Sequence, residues 1–263
     1  MLELLNVRNV EWALTTATEV VLLVFLVRRN LFRSYFVFSS YILIAVLQSI
    51  GMAATYAVWG FESHNAWVIF WLGQLVVEVA RFAAIAELSR QVLSPFSGVW
   101  ALARRILLAI AAIVLVYAAL QSKLRWQYWP FHLDRGMGLA GAAVIIALLL
   151  FARYYGLPMS HLNRSLCIGF CLYSCFSVIN DSLLENWLYG YANFWSFLGV
   201  LTFLASLLIW IDAARVSSVT VPARKLAVVS KEEYARLSST LNARLRQLNE
   251  RLDHVPHSGD HHS

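Results

Sequence analysis

The chain has 263 residues, of which 60% are hydrophobic and 14% charged, with a mean hydropathy of +0.63 and a formal net charge of +6. A water-soluble domain is roughly 45–50% apolar and about 25% charged, so this composition excludes an ordinary soluble protein and points to membrane spans of about 20 residues each. The sequence pI of 9.4 follows from where the basic residues fall along the chain and needs no nucleic-acid partner.

Seven apolar stretches are predicted as transmembrane helices, at 10–27, 35–59, 66–89, 106–120, 137–155, 165–184 and 193–214. The first carries Glu11 and Glu19 and is read as a retained helix, because no basic region precedes it and no small-residue cleavage site follows it. The fourth is short unless it begins before Arg104 and Arg105, whose stems can snorkel. Lys and Arg set the orientation. One side carries Arg28, Arg29, Arg33, Arg90, Arg104, Arg105, Arg153 and Arg164, with eight more basic residues in the tail from Arg215 to Arg251. The other side carries Arg8, Lys123, Arg125 and Arg135. Sixteen against four places the N-terminus outside and the C-terminus in the cytoplasm. The expected fold is all-α, a polytopic seven-transmembrane helix bundle (1–216) in a bacterial cytoplasmic membrane, with the lipid bilayer as its first partner.

A polar linker, 217–230, follows the last span. Over 231–255, Leu237, Leu241, Leu245, Leu248 and Leu252 recur at helical spacing, and Ser230 with Glu233 resembles a capping box. This is an amphipathic cytoplasmic helix. Its leucine stripe either lies on the membrane or inner loops, or serves self-association or a cytoplasmic protein partner. Residues 256–263 read as a disordered tail.

Ionisable groups within spans are costly and mark functional candidates. At 1.5 Å per residue, Glu19 lies roughly 14 Å from the outer face, Gln48 about 16 Å, Gln74 about 12 Å and Glu78 about 18 Å. Arg81 sits one turn deeper than Glu78 on the same helix face. Arg81 is therefore expected to pair with Glu78, Glu19 or both. The intramembrane polar layer of Glu19, Gln48, Gln74, Glu78 and Arg81 is either a packing clamp or a proton-responsive or ligand-facing site. Eight of the ten tryptophans fall on the outer side. They form an interfacial belt or line an outward vestibule, with Trp71, Asn180, Asp181 and Trp195 as its candidates. Cys167, Cys171 and Cys175 form a stripe at i,i+4,i+8, better read as small packing residues than as a Cu(I) site. No retinal Schiff-base lysine, mid-span histidine, P-loop or hydrolase motif occurs. No catalytic residue, cofactor or metal is expected.

There is one faint internal echo. Phe70-Trp71 and Glu87 to Arg90 bracket the third span, and Phe194-Trp195 and Asp212 to Arg215 bracket the seventh. Spans 1–3 and 5–7 run in the same directions, so a 3+1+3 parallel repeat is an available arrangement, although chance similarity between apolar helices is the preferred reading of the echo.

The run Arg33-Ser34-Tyr35-Phe36-Val37-Phe38 with Tyr41, the run Phe70-Trp71-Leu72-Gly73-Gln74 with Glu87, and the leucine-striped tail resemble an uncharacterised group of bacterial seven-helix inner-membrane proteins. The resemblance implies the fold and the location. It implies no activity and transfers no functional residue. The expected function is a receptor-like or scaffold membrane protein with an outward aromatic site and a C-terminal helix for a cytoplasmic partner. The alternatives are a small-solute or proton-coupled transporter and a non-catalytic subunit of a larger membrane complex.

Overall fold

In a hydrocarbon medium the backbone has to satisfy its own hydrogen bonds, and a single apolar segment can do so only as a helix. The computed structural model describes residues 2–60, 63–94, 96–122, 129–157, 159–186, 192–216, 238–239 and 242. Among them are eight helices: α1 (Leu2–Arg28), α2 (Leu31–Ser34), α3 (Phe36–Trp59), α4 (His64–Leu93), α5 (Ser97–Gln121), α6 (Trp129–Tyr154), α7 (His161–Asn186) and α8 (Ala192–Val216). Seven are long and apolar enough to cross a membrane, and α2 is a single turn. The described residues contain no strand.

Helix ends follow local chemistry. Ser63 accepts a bond from the Asn65 N–H at the start of α4, and Ser160 accepts from Asn163 at the start of α7. Pro130 occupies the first turn of α6, where its missing N–H costs nothing. Gly60 (φ 76°) and Gly156 (φ 59°) close α3 and α6 in the left-handed half of backbone space. The α3 start lacks a cap from its own N-cap residue, Tyr35. Glu87 of α4 supplies it instead, accepting from the backbone N–H groups of Val37 (3.2 Å) and Phe38 (2.9 Å).

Six of the seven long helices are longer than the apolar text suggested, three of them by about eight residues at the start. α1 begins at Leu2, α5 begins at Ser97 so that Arg104 and Arg105 lie within it, and α6 begins at Trp129 and so includes Asp134. Polar residues cost an α-helix little in its outer turns, so hydropathy alone draws spans too short.

Consecutive long helices are joined by short connections and pack beside one another, so they alternate in direction. Helices α1, α3, α4, α6, α7 and α8 form a closed ring in that order, α8 packing back on α1 and α4 on α6. α5 lies outside the ring against α4 and α6. The ring therefore divides into two three-helix sets, α1-α3-α4 and α6-α7-α8, joined by the α1–α8 and α4–α6 contacts, with α5 as the link.

One end of the bundle collects Arg28, Arg33, Arg90, Arg153, Arg164 and Arg215, and is called the basic end below. The opposite end collects Trp59, Trp67, Trp71, Trp129 and Trp195. Apolar side chains such as Leu47, Val58, Leu108, Ile113, Leu120 and Leu150 are exposed on the perimeter, as expected where the solvent is lipid. The buried core runs from Leu22 and Leu26 of α1 through Ile85 and Leu88 of α4 to Leu207 and Trp210 of α8.

The chain divides into two compact units, Met1–Thr220 and Val221–Ser263. In the second, Ser238, Ser239 and Asn242 are helical. The leucine stripe Leu237, Leu241, Leu245, Leu248 and Leu252 lies outside the described residues.

Candidate functional site: a polar layer inside the ring

Glu19, Glu78 and Arg81 are at most 3% exposed, although each carries a formal charge. Such groups are tolerated in a membrane span when paired or hydrogen-bonded. Arg81 forms an ion pair with Glu78 one turn before it on α4. Its guanidinium also lies 5.0 Å from the ring centroid of Tyr173 on α7, a cation–π arrangement. The backbone of α6 borders the same group, since a Cβ on Gly138 would sit 3.6 Å from Arg81 Nη2.

Glu19 takes a different partner. Ser49 Oγ of α3 donates to its carboxylate at 3.4 Å. Glu19 has no ion pair among the described residues, so of the two pairings expected for Arg81 only the one with Glu78 forms.

Gln48 and Gln74 tie the layer together. Oriented by its neighbours, the Gln48 amide donates to the Gly73 carbonyl (2.9 Å) and accepts from the Gln74 backbone N–H (3.1 Å). This approach uses the absent side chain of Gly73, where a Cβ would lie 3.1 Å from Gln48 Cδ. The Gln74 side-chain amide donates to Glu78 Oε1 and to Asp134 Oδ1, both at 3.4 Å. All five layer residues expected from sequence thus lie in the ring interior, on α1, α3 and α4.

Three members were not expected. Asp134 lies ahead of the apolar stretch 137–155 and is brought into the layer because α6 begins at Trp129. The Trp129-Pro130 start of a helix was the signal available. Tyr173 and Tyr41 read as ordinary aromatic residues of apolar helices. Tyr41 is buried and within electrostatic range of Arg81, Glu78, Glu19 and Tyr173. The layer therefore draws on five helices and carries three carboxyl groups against one guanidinium.

Below the layer, toward the basic end, the ring is filled by rings. Phe38, Tyr41, Phe170 and Trp210 pack edge-on or tilted at centroid separations of 4.7–6.4 Å. Trp210 Nε1 donates to the Leu166 carbonyl at 3.4 Å and is wholly buried. The indole occupies the space over Gly169, where a Cβ would come 2.2 Å from Nε1. Tyr41 is shared with the layer, and Phe38, Phe170 and Trp210 fill the ring between it and the basic end.

The proposed vestibule residues lie on α4, α7 and α8. Trp71 makes ring contacts with Trp67 and Phe70 of its own helix. Trp195 lies 6.3 Å from Phe176 of α7. Asn180 Oδ1 is buried and has no hydrogen-bond partner among the described residues. Asp181 is helical, and its side chain lies outside the described residues. On α7, Cys171 and Cys175 have their sulfurs 3.8 Å apart and Cys167 is buried against the core. Among the described residues no three His, Cys, Asp or Glu side chains converge as metal ligands.

No protein-family model, curated protein or solved structure matches this chain.

Proposed function

We propose that this chain is a receptor-like integral membrane protein of a bacterial cytoplasmic membrane, with its N-terminus outside and its C-terminal helix offered to a cytoplasmic partner. The observation that carries the reading is the one-sidedness of the ring interior. Polar groups continue from Glu78 through Gln74 to Asp134 toward the tryptophan-rich end, whereas Phe38, Tyr41, Phe170 and Trp210 fill the interior toward the basic end. A transporter needs a polar path to both faces, and a receptor needs an opening to one. The arginine bias supports the tryptophan-rich end as the outer one, with Trp71, Asn180, Asp181 and Trp195 near the entrance.

The test is labelling of Gln74→Cys in a background lacking Cys167, Cys171 and Cys175, with a membrane-impermeant thiol reagent added to either face of sealed vesicles. Reaction from the N-terminal face alone is the expected result. Equal reaction from both faces would transfer the argument to a transporter.

That second reading has its own support. The two three-helix sets and the linking α5 match the layout of parallel-repeat transporters, whose sites lie near mid-membrane between repeats. Glu19, which has no cationic partner among the described residues, is the carboxylate on which proton coupling would be built. Proton flux in proteoliposomes that disappears in Glu19→Gln is the result that would establish it.

A further inference from the structure

One stripe of α4 runs from the tryptophan-rich end into the polar layer. His64, Trp67, Trp71, Gln74, Glu78 and Arg81 recur every three or four residues, so they share one face of the helix. Contacts are continuous within each half of the stripe. The His64 ring stacks on Trp67 at 6.1 Å, and Trp67 meets Trp71 at 6.3 Å. Deeper in, Gln74 donates to Glu78, which pairs with Arg81. An indole face carries negative electrostatic potential and attracts cations more strongly than the other aromatic rings do. Aromatic rings therefore lead into carboxylates along a single helix face.

Behind the stripe the charges do not balance. Glu78 is matched by Arg81, but Glu19 and Asp134 form no ion pair among the described residues. Each is met by a neutral donor at 3.4 Å, Glu19 by Ser49 Oγ and Asp134 by the Gln74 amide. Asp134 is the one nearer the outer end, about 8 Å along α6 from its start. Asn180 adds a further acceptor. It lies two turns outward of Tyr173 on the same face of α7. Its buried Oδ1 has no hydrogen-bond partner among the described residues, and a buried acceptor costs free energy until a donor reaches it. Two carboxylates without a cation and an amide oxygen without a donor are complemented by one chemistry, a positively charged group that carries N–H bonds.

We propose that the ligand of this site is a small organic ammonium ion, its charge balanced by Asp134 and its carbon body against Trp71. The proposal rests on the outward-opening interior argued above and adds the chemical class of what enters it. The rings favour an organic ammonium over a metal ion, because its carbon groups can lie against indole. A neutral solute or a carboxylate brings no charge to balance Asp134.

The experiment titrates the full chain in mild detergent with n-butylammonium chloride and follows thermal unfolding, with 1-butanol, sodium butyrate and sodium chloride as matched probes. A ligand that binds the folded state alone raises the thermal midpoint with its concentration, and the dependence yields Kd. Butylammonium is expected to raise the midpoint and the other three to leave it in place. Asp134→Asn, which keeps an oxygen for Gln74, should weaken binding at least about tenfold, the loss of a charged hydrogen bond. Trp71→Leu should weaken it about threefold through the aromatic contact. No shift with butylammonium overturns the proposal. So does an equal shift with any of the other probes, or an affinity unaltered in either variant. The outward opening fails separately, through labelling of Gln74→Cys from both faces. One-sided labelling without an ammonium effect would leave the opening standing and remove the ligand class alone.

Discussion

The two buried glutamates differ in what they would leave behind. Glu78 neutralises Arg81 inside the ring, and removing one member of a buried pair strands the other's charge, at a cost of about 3–5 kcal/mol. Glu78→Gln should therefore lower the thermal midpoint of the detergent-solubilised protein sharply. Glu19→Gln keeps an oxygen to accept from Ser49 and strands no charge, so it should cost under about 1 kcal/mol, in line with single hydrogen bonds between membrane helices. Equal losses for the two variants would mean that Glu19 and Arg81 are coupled in a way the geometry does not display. Sequence depth alone had placed both acids at a similar level. It could not say which one faces Arg81, because spacing along a helix gives height and relative azimuth within that helix only. Tyr41 and Tyr173 were missed for the same reason: their polarity becomes relevant only once α3 and α7 are turned toward α4.

Pairs of helices are held by a few positions where one chain enters space left by another. Glu87 of α4 caps α3 with two charge-assisted bonds, and Glu87→Ala should cost about 1–2 kcal/mol, the range for loss of a helix cap. The same basic end is pinned by Tyr35, which donates to Asn163 Oδ1 of α7 at 2.6 Å, and by Gln91, which donates to the Ser34 carbonyl at 2.8 Å. Val37 and Phe38 thus meet Glu87, about 50 residues further along the chain, at the first turn of α3. Their hydropathy carried no hint of this, since a carboxylate capping another helix looks in sequence like one more interfacial charge. At the α7–α8 contact, Gly169→Ala drives a methyl group into the Trp210 indole, and overpacking of this kind costs about 1–3 kcal/mol. Trp210→Leu in the same protein should recover part of that loss. A double-mutant cycle in thermal unfolding measures the coupling, and simple additivity of the two substitutions would show that Trp210 does not rest on Gly169.

Across the chain, the helical class and the seven long apolar segments were legible because membrane spans are long and apolar and each satisfies its own backbone. Their arrangement was less so. The faint Phe-Trp echo between the third and seventh spans allowed two like-directed sets with the fourth span between them, but it could not say which helices would pack together or that α5 would lie outside a ring of the other six long helices. Deletion of residues 221–263 removes one compact unit and leaves the other, Met1–Thr220, complete. The truncated protein should unfold at the same temperature as the full chain, while any cytoplasmic partner recovered with the full chain in mild detergent should be lost. A large drop in thermal midpoint would mean that the tail braces the bundle.

The outlying position of α5 bears on sidedness. A set of three crossings returns the chain on the face opposite to where it started, so two such sets joined end to end would point in opposite directions. One extra crossing corrects the parity, and α5 is that crossing. It contributes little to the ring itself, yet Arg153, Arg164 and Arg215 share a face with Arg28 and Arg90 only because it is there. A chain in which residues 97–121 are replaced by a flexible polar linker should be driven two ways at once, with α6–α8 either inverted against their charges or displaced from α1–α4. Reporter fusions at the C-terminus would register this as mixed topology. A single, unchanged C-terminal location would show that the last three helices find their orientation from their own arginines alone.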